Sequence, residues 1–436
     1  MESLKPYDTV EVKIKKDNKI TTISGIVMPK EEGDAKNEIC IRMENGYKIG
    51  LILDKNTTVK KTGHVKETPA TETKLENTSG KNNQKILFIS TGGTIASKID
   101  YKTGAVIAKF TARELEEKVP QLKEIARPEA KTIFSEMSEN LTPKHWEIIA
   151  KEIASNLNRN DIAGIILMHG TDTLGYTASA LSFILKDIGK PVCIVGAQRS
   201  SDRGSSDTFM NLICASHVAV GNFAGVFCVM HANTDDDYCA VIKGTRARKM
   251  HSSRRDAFKS INEKPVAFVW ENGKIKSISK SKKRDNNLKT TIAGNFSSDV
   301  MLIKTYPGLN PNVIDFAIKN SIQGIVIEGT GLGHTCTVRK NNFLPYFKKC
   351  AKLKIPVIMT TQTVYGRTNP NVYSAARYIA ETGVIYVEDC ISETAYVKLR
   401  WVLSQTKDIK EIEKLMKENV AGEIEERSEI IDYEMK

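Results

Sequence analysis

The sequence predicts an α/β protein: two α/β domains with mostly parallel sheets, preceded by a small N-terminal β-barrel-like domain. Three observations predict it. Short alternating apolar runs fill residues 9–59, a polar stretch with almost no apolar side chain follows at 65–84, and buried strand-like runs then alternate with helical stretches.

The N-terminal runs Val10-Glu11-Val12-Lys13-Ile14, Thr22-Ile23-Ser24-Gly25-Ile26-Val27 and Glu38-Ile39-Cys40-Ile41-Arg42 have the two-residue period of half-buried antiparallel strands. Asp17-Asn18, Glu32-Gly33 and Asn45-Gly46 supply turns, so about five strands are expected within residues 1–64. Residues 65–84 cannot bury enough apolar surface to offset ordering entropy, and read as a flexible linker. Beyond it, Ile86–Ser90, Gly164–Met168, Pro191–Val195 and Gly225–Met230 are each followed by a helical stretch, which assigns an α/β domain to 85–285. After a polar, basic stretch at Lys274–Lys289 the pattern resumes at Val300–Lys304, Gly324–Ile327, Pro356–Met359 and Gly383–Val387, a second α/β domain over 286–436. The tail after Gln405, rich in Lys and Glu, reads as a solvated helix or a partner contact.

A length of 436 residues with 40% apolar and 27% charged residues excludes disordered and fibrous classes and allows a sizeable core. The formal charge of +12 suits polyanionic partners, although lysine-rich surfaces also serve solubility. The excess is local: Arg246, Arg248, Lys249, Arg254 and Arg255 form one cluster, and Lys280, Lys282, Lys283 and Arg284 another. Eight scattered cysteines, with no Cys-x-x-Cys pair and no zinc spacing, read as buried free thiols and give no metal site. Met1–Val10 is charged and interrupted by proline, and the longest nearly apolar run, Val218–Met230, is too short to span a bilayer. A cytoplasmic protein without membrane contact is expected.

Chemistry concentrates where strands end. Ile86–Ser90 runs into Thr91-Gly92-Gly93-Thr94-Ile95-Ala96, and Gly164–Met168 into His169-Gly170-Thr171-Asp172-Thr173. In a parallel sheet such turns lie at the carboxyl edge, where ligands bind, and each delivers a threonine hydroxyl. Alone, the first turn also suits a phosphate loop, although Gly-x-Gly-x-x-Gly is absent, and the second suits helix capping. Together they favour catalysis. A threonine hydroxyl needs a neighbouring base or an amine of lowered pKa to become a nucleophile. Lys249, within Lys243-Gly244-Thr245-Arg246-Ala247-Arg248-Lys249-Met250-His251, is the candidate amine; adjacent Arg248 would lower its pKa further and Asp172 would orient it. Read from the run alone, Lys249 belongs on a wet, basic surface, and spacing does not show that it points inward.

The two turns resemble the signature motifs of bacterial-type L-asparaginases, and Lys243–His251 resembles that family's lysine motif. Tyr306-Pro307-Gly308 and the stretch Pro356–Gly366 resemble its C-terminal domain. The resemblance, over nearly all of residues 85–405, implies amide hydrolysis through a threonine acyl-enzyme. By motif, Thr94 would be the nucleophile, Thr171, Asp172 and Lys249 the proton-handling group, and Tyr101 an aid to Thr94. Ser138 and Glu139 would hold the substrate's α-carboxylate and amino groups, and backbone N–H groups of the glycine turns, at Gly93 and Gly170, the oxyanion.

The preceding β-rich unit makes the layout similar to the asparaginase-like, D-type subunits of archaeal-type glutamyl-tRNA(Gln) amidotransferases, as does His334, where free bacterial enzymes usually place Asn. That resemblance implies glutamine or asparagine as ammonia donor and a homodimeric core. It also implies an E-type amidotransferase partner that handles glutamyl-tRNA(Gln) and uses ATP and Mg; this chain itself needs no cofactor and has no Gly-x-x-x-x-Gly-Lys-Ser/Thr loop. A stand-alone L-asparaginase and a non-catalytic RNA-binding scaffold are the alternatives.

Overall fold

The computed structural model describes residues 4–5, 8–16, 19–28, 37–43, 48–64, 84–92, 98–99, 106–107, 115, 119–199 and 204–428. Most of the expected linker and the turns at Asp17, Glu32 and Asn45 lie outside them.

The alternating N-terminal runs form β1 (Asp8–Lys16), β2 (Lys19–Val27), β3 (Glu38–Arg42), β4 (Lys48–Ile52) and β5 (Thr57–His64), an antiparallel sheet in the order β4-β3-β2-β1-β5. Alternation sends Val10, Val12, Val27, Ile39, Ile41 and Leu51 into one small core. Asp8, fully buried, ties β1 to the edge strand β5 through Lys61 at 2.7 Å and His64 at 2.8 Å, and the Lys61 ammonium holds its carboxyl well below the usual range. The backbone of Gly204 packs against Ile49 and Gly50 of this sheet.

The next sheet is built from β6 (Lys85–Ser90), β7 (Arg127–Thr132), β8 (Ile162–Met168), β9 (Pro191–Val195), β10 (Gly225–His231), β11 (Tyr238–Lys243), β14 (Ala267–Trp270) and β15 (Ile275–Ser277); the short pair β12 (Ala247–Lys249) and β13 (Phe258–Ser260) stands apart. Its order is β15-β14-β11-β10-β9-β8-β6-β7. From β7 to β10 the strands are parallel, and β11, β14 and β15 add an antiparallel edge. The sequence pattern marks β6, β8, β9 and β10 and leaves the parallel strand β7 and the antiparallel edge unread. Ile162–Met168 is buried at every residue, which requires helices on both faces. Leu87, Ile89, Ile165 and Leu167 face α1 (Pro143–Leu157), α2 (Leu174–Ile184) and α7 (Ser392–Gln405), whereas Ile86, Phe88, Ile166 and Met168 face α3 (Thr208–Val220).

The C-terminal sheet, β16 (Val300–Lys304), β17 (Gly324–Gly329), β18 (Val357–Thr361) and β19 (Ile385–Tyr386), is parallel throughout. Its other helices are α4 (Asn312–Lys319), α5 (Leu344–Lys352) and α6 (Ser374–Ala380). Val326, Ile358 and Ile385 share one core with Leu167 and Leu181, so helix α7 is common to both sheets.

Two expectations are corrected here. The tail after Gln405 is not a solvated appendage: α8 (Ile409–Lys417) buries Ile412 and Met416, and Glu423 beyond it is fully buried. Among the thiols Cys336 is exposed and Cys40 half-buried, while the other six are buried.

We propose domain limits at 1–64, 85–285 and 286–436. A chain lacking residues 1–84 should retain a cooperative thermal transition and the helical circular dichroism of the intact protein, because its two large sheets share a core to which the N-terminal sheet contributes nothing. Collapse of that signal would refute the division.

Candidate active site

Both glycine turns open at the carboxyl edge of adjacent parallel strands. The register sets Met168 beside Ser90, so the chain leaves the sheet at Thr91 and His169 side by side. Thr91 seals the junction: its N–H and its hydroxyl donate to the Met168 carbonyl at 3.2 and 3.1 Å. Gly92 then takes φ of 101°, and a Cβ there would lie 2.6 Å from the Glu136 nitrogen, so only glycine fits. Gly93, Thr94 and Tyr101 lie outside the described residues.

The second turn is held from beneath by His169, whose side chain is fully buried. Its Nδ1–H donates to the Gly170 carbonyl at 2.6 Å and its Nε2 accepts from the Thr177 hydroxyl at 2.9 Å, which fixes the neutral tautomer. Burial pushes this imidazole down to about 4. From above, the short turn Ser138–Asn140 rests on the same segment. The Thr173 hydroxyl donates to the Ser138 carbonyl at 2.7 Å, and a Cβ on Gly170 would lie 2.8 Å from Ser138 Oγ. Ser138 is therefore buried against Gly170, with Glu139 exposed beside it.

Lys249 arrives from the end of β12, and its Nζ donates to Thr171 Oγ1 at 2.9 Å and to Asp172 Oδ1 at 2.6 Å. Its side chain is only 15% exposed, whereas Asp172 is 64% exposed and faces the open edge. The structure thus brings Thr171, Asp172, Lys249, Ser138 and Gly170 to one edge of one sheet. The surrounding basic run is not a free cationic surface: Arg246 pairs with Asp389, Arg248 with Glu393, Arg254 with Asp256 and Arg255 with Asp236. The sequence places Arg248 as added positive charge beside Lys249. Instead its guanidinium lies 3.3 Å from the Glu393 carboxylate, which neutralises it.

Sequence reasoning missed the support beneath this edge. Asp207, fully buried, accepts the N–H groups of Gln198 and Arg199 at 3.0 and 2.9 Å. Asn211, one helical turn on, donates to the Gly196 carbonyl at 3.0 Å and accepts from the His231 N–H at 3.0 Å. Gly196 lies directly against the methyl group of Thr171, so this network sets the height of the threonine. The available signal was a polar pair four residues apart, Asp207 and Asn211, in an otherwise apolar helical run. His334 stands in the C-terminal lobe, its ring edge-on to Tyr373 at 5.4 Å. Among the described residues no group of three or more His, Cys, Asp or Glu side chains is placed to hold a metal, and no helix is long and apolar enough to cross a membrane.

Residues 85–283 match the family model of the asparaginase N-terminal domain and residues 299–416 that of the glutaminase/asparaginase C-terminal domain. Among solved structures, the thermostable L-asparaginase from Thermococcus kodakarensis is similar at 32% identity and a TM-score of 0.70, covering 79% of this chain and all of that one. A probable cytoplasmic L-asparaginase from Campylobacter jejuni is similar at 26% identity and a TM-score of 0.63, over 76% of this chain and 99% of its own. These account for the two large sheets. Residues 4–61 match a separate model, the GatD N-terminal domain. The D-type subunit of the glutamyl-tRNA(Gln) amidotransferase of Pyrococcus abyssi is 45% identical over 96% of this chain and 94% of its own length. Its counterpart in Thermofilum pendens is 41% identical over 98% and 94%.

This chain belongs to the family of D-type glutamyl-tRNA(Gln) amidotransferase subunits. The family thus combines an asparaginase fold with an N-terminal sheet that the two L-asparaginases' coverage leaves room for and the amidotransferase relatives span.

Burial should make the fold sensitive to acid through the neutral His169. Its folded-state value lies below the unfolded one, so the stability it permits is fully present above about 6.5 and erodes as pH falls toward about 4, by about 3 kcal/mol in all. Denaturant titrations at pH 7 and pH 4.5 should show that a His169→Gln variant loses less stability on acidification than the parent. An equal loss in both would mean that His169 is not the group responsible.

Proposed function

We propose that this chain is the ammonia-releasing component of a glutamyl-tRNA(Gln) amidotransferase, acting on the side-chain amide of glutamine or asparagine through a threonine acyl-enzyme. The observation that carries this reading is the contact of Lys249 Nζ with both Thr171 Oγ1 and Asp172 Oδ1 at the carboxyl edge of the sheet. An amine so held can exchange a proton with a hydroxyl at hydrogen-bond distance, while the exposed Asp172 carboxylate stabilises it when protonated.

In this reading the Thr94 hydroxyl, on the adjacent turn, attacks the carboxamide carbon and its proton passes by way of the Thr171 hydroxyl to the Lys249 amine. The amide nitrogen takes that proton and leaves as ammonia; water then cleaves the ester, releasing the side-chain carboxylate and returning a proton to Thr94. Tyr101 assists the attack. Ser138 and Glu139 bind the amino-acid end of the substrate, and the N–H groups at Gly93 and Gly170 stabilise the oxyanion. Ammonia passes to an E-type partner, which binds glutamyl-tRNA(Gln), activates its carboxylate with ATP and Mg, and accepts the ammonia. A homodimeric core and a cytoplasmic location complete the proposal. The two L-asparaginases support the amide chemistry, and the N-terminal match to the GatD model favours the tRNA-linked role over a stand-alone L-asparaginase.

Thr94→Ala and Lys249→Ala, each assayed in the complete complex, should lower glutamine-dependent formation of glutaminyl-tRNA by about a thousandfold or more and leave formation from ammonium chloride within about twofold. Unchanged glutamine-dependent amidation would refute the assignment and revive the non-catalytic scaffold. Rapid asparagine turnover by the isolated chain, indifferent to tRNA and partner, would instead favour the stand-alone L-asparaginase.

A further inference from the structure

The chain beyond α8 lies past the C-terminal family match, which ends at residue 416. It is bound into the molecule by buried charges. Lys398 of α7 and Glu423 are both fully buried and pair at 2.6 Å. Lys398 also donates to the carbonyls of Met416 at 3.1 Å and Glu418 at 2.5 Å. The Glu423 carboxylate accepts the N–H groups of Val420 and Ala421 at 3.0 and 2.7 Å, folding the segment back on itself.

That fold aims two carbonyls at the loop that carries the amine. Ala421 O accepts from the Thr245 hydroxyl at 3.1 Å, and Gly422 O accepts from Arg246 Nε at 2.8 Å. Arg246 is fully buried and also meets Asp389 Oδ2 at 3.0 Å, while Asp389 Oδ1 accepts from the Glu425 N–H at 3.0 Å. From the other side, Thr394 of α7 donates to the Thr245 carbonyl at 2.8 Å. Thr245 and Arg246 immediately precede the strand Ala247–Lys249. The chain that delivers Lys249 is therefore gripped at the two residues before that strand starts.

A buried ion pair adds little net stability, since desolvation offsets the attraction, so the role of this pair is sought in the geometry it holds. We propose that residues 419–426 form a positioning strap for the reaction, in which Glu423 and Arg246 fix the 243–249 loop so that the Lys249 amine meets the Thr171 hydroxyl. The strap does not touch substrate. Its effect falls on proton transfer, where a displacement of about 1 Å is costly, and not on substrate binding. The kinetic part of this inference rests on the amide-hydrolysis reading above.

The test uses the full-length chain in its complex. Glu423→Gln should lower kcat for glutamine hydrolysis about tenfold with KM within about twofold. The double variant Lys398→Met/Glu423→Leu removes both buried charges and should melt close to the parent, yet keep the low kcat, because nothing then folds Val420 and Ala421 back. Thr245→Val should lower kcat about threefold and Thr245→Ser restore it; this pair decides the matter should the double variant not fold. Labelling of Lys249 by acetic anhydride, read by mass spectrometry, should rise in Glu423→Gln. That readout needs no turnover, so an inactive parent complex would condemn the amide-hydrolysis reading and leave the labelling to judge the strap. A double variant that recovers kcat with its stability, or kcat and labelling unchanged in Glu423→Gln and Thr245→Val, would overturn the proposal.

Discussion

The site depends on one contact: a lysine amine at the end of a three-residue strand, within hydrogen-bond reach of a threonine hydroxyl and a carboxylate 78 and 77 residues earlier in the chain. Neither partner reaches the other through local structure. Thr171 is placed by the parallel sheet, because Met168 pairs with Ser90 and the turn that follows is clamped by His169 below and Ser138 above. Lys249 is placed by a loop held from the C-terminal lobe. The fold can be read as the machinery that keeps these two deliveries in register.

This view explains why so many charges are buried away from solvent. Arg246, Lys398 and Glu423 are fully buried, and each is paired with an opposite charge and with backbone groups, although one terminal nitrogen of Arg246 has no hydrogen-bond partner. Such arrangements cost desolvation energy and return little net stability, but they admit few alternative geometries. They lie along the seam where α7 and the C-terminal segment meet the loop of Lys249. Two lobes that share one apolar core can still slide by a fraction of a side chain; directional polar contacts at the seam remove that freedom.

Most of the parallel strands are legible in the sequence because nothing competes with their pattern; the half-exposed edge strand Arg127–Thr132, with no apolar run, is not. Pro191–Val195 and Val300–Lys304 can be read to the residue, being short, β-branched runs with turn residues before and after. Tyr238–Lys243 and its antiparallel neighbours cannot, since their polar flanks blur the run and no helix follows to announce a crossover. The two threonine turns are legible as a pair at strand ends, whereas the direction of Lys249 is not. In a run of five basic residues only distant carboxylates, Asp172 and Glu393 among them, decide which side chain turns inward. Glu423 is hidden for the same reason: within a Lys- and Glu-rich tail, one glutamate reads like any other until its partner Lys398 is seen across the seam.

The central claim, that Thr171, Asp172 and Lys249 serve a nucleophile on the neighbouring turn, is tested most directly by trapping the covalent intermediate. The complex would be treated with a diazoketone analogue of glutamine, digested, and the modified residue located by mass spectrometry. The account predicts a single adduct on Thr94, formed more slowly when Lys249 is replaced. An adduct on Thr171, or on a residue away from this edge of the sheet, would contradict it.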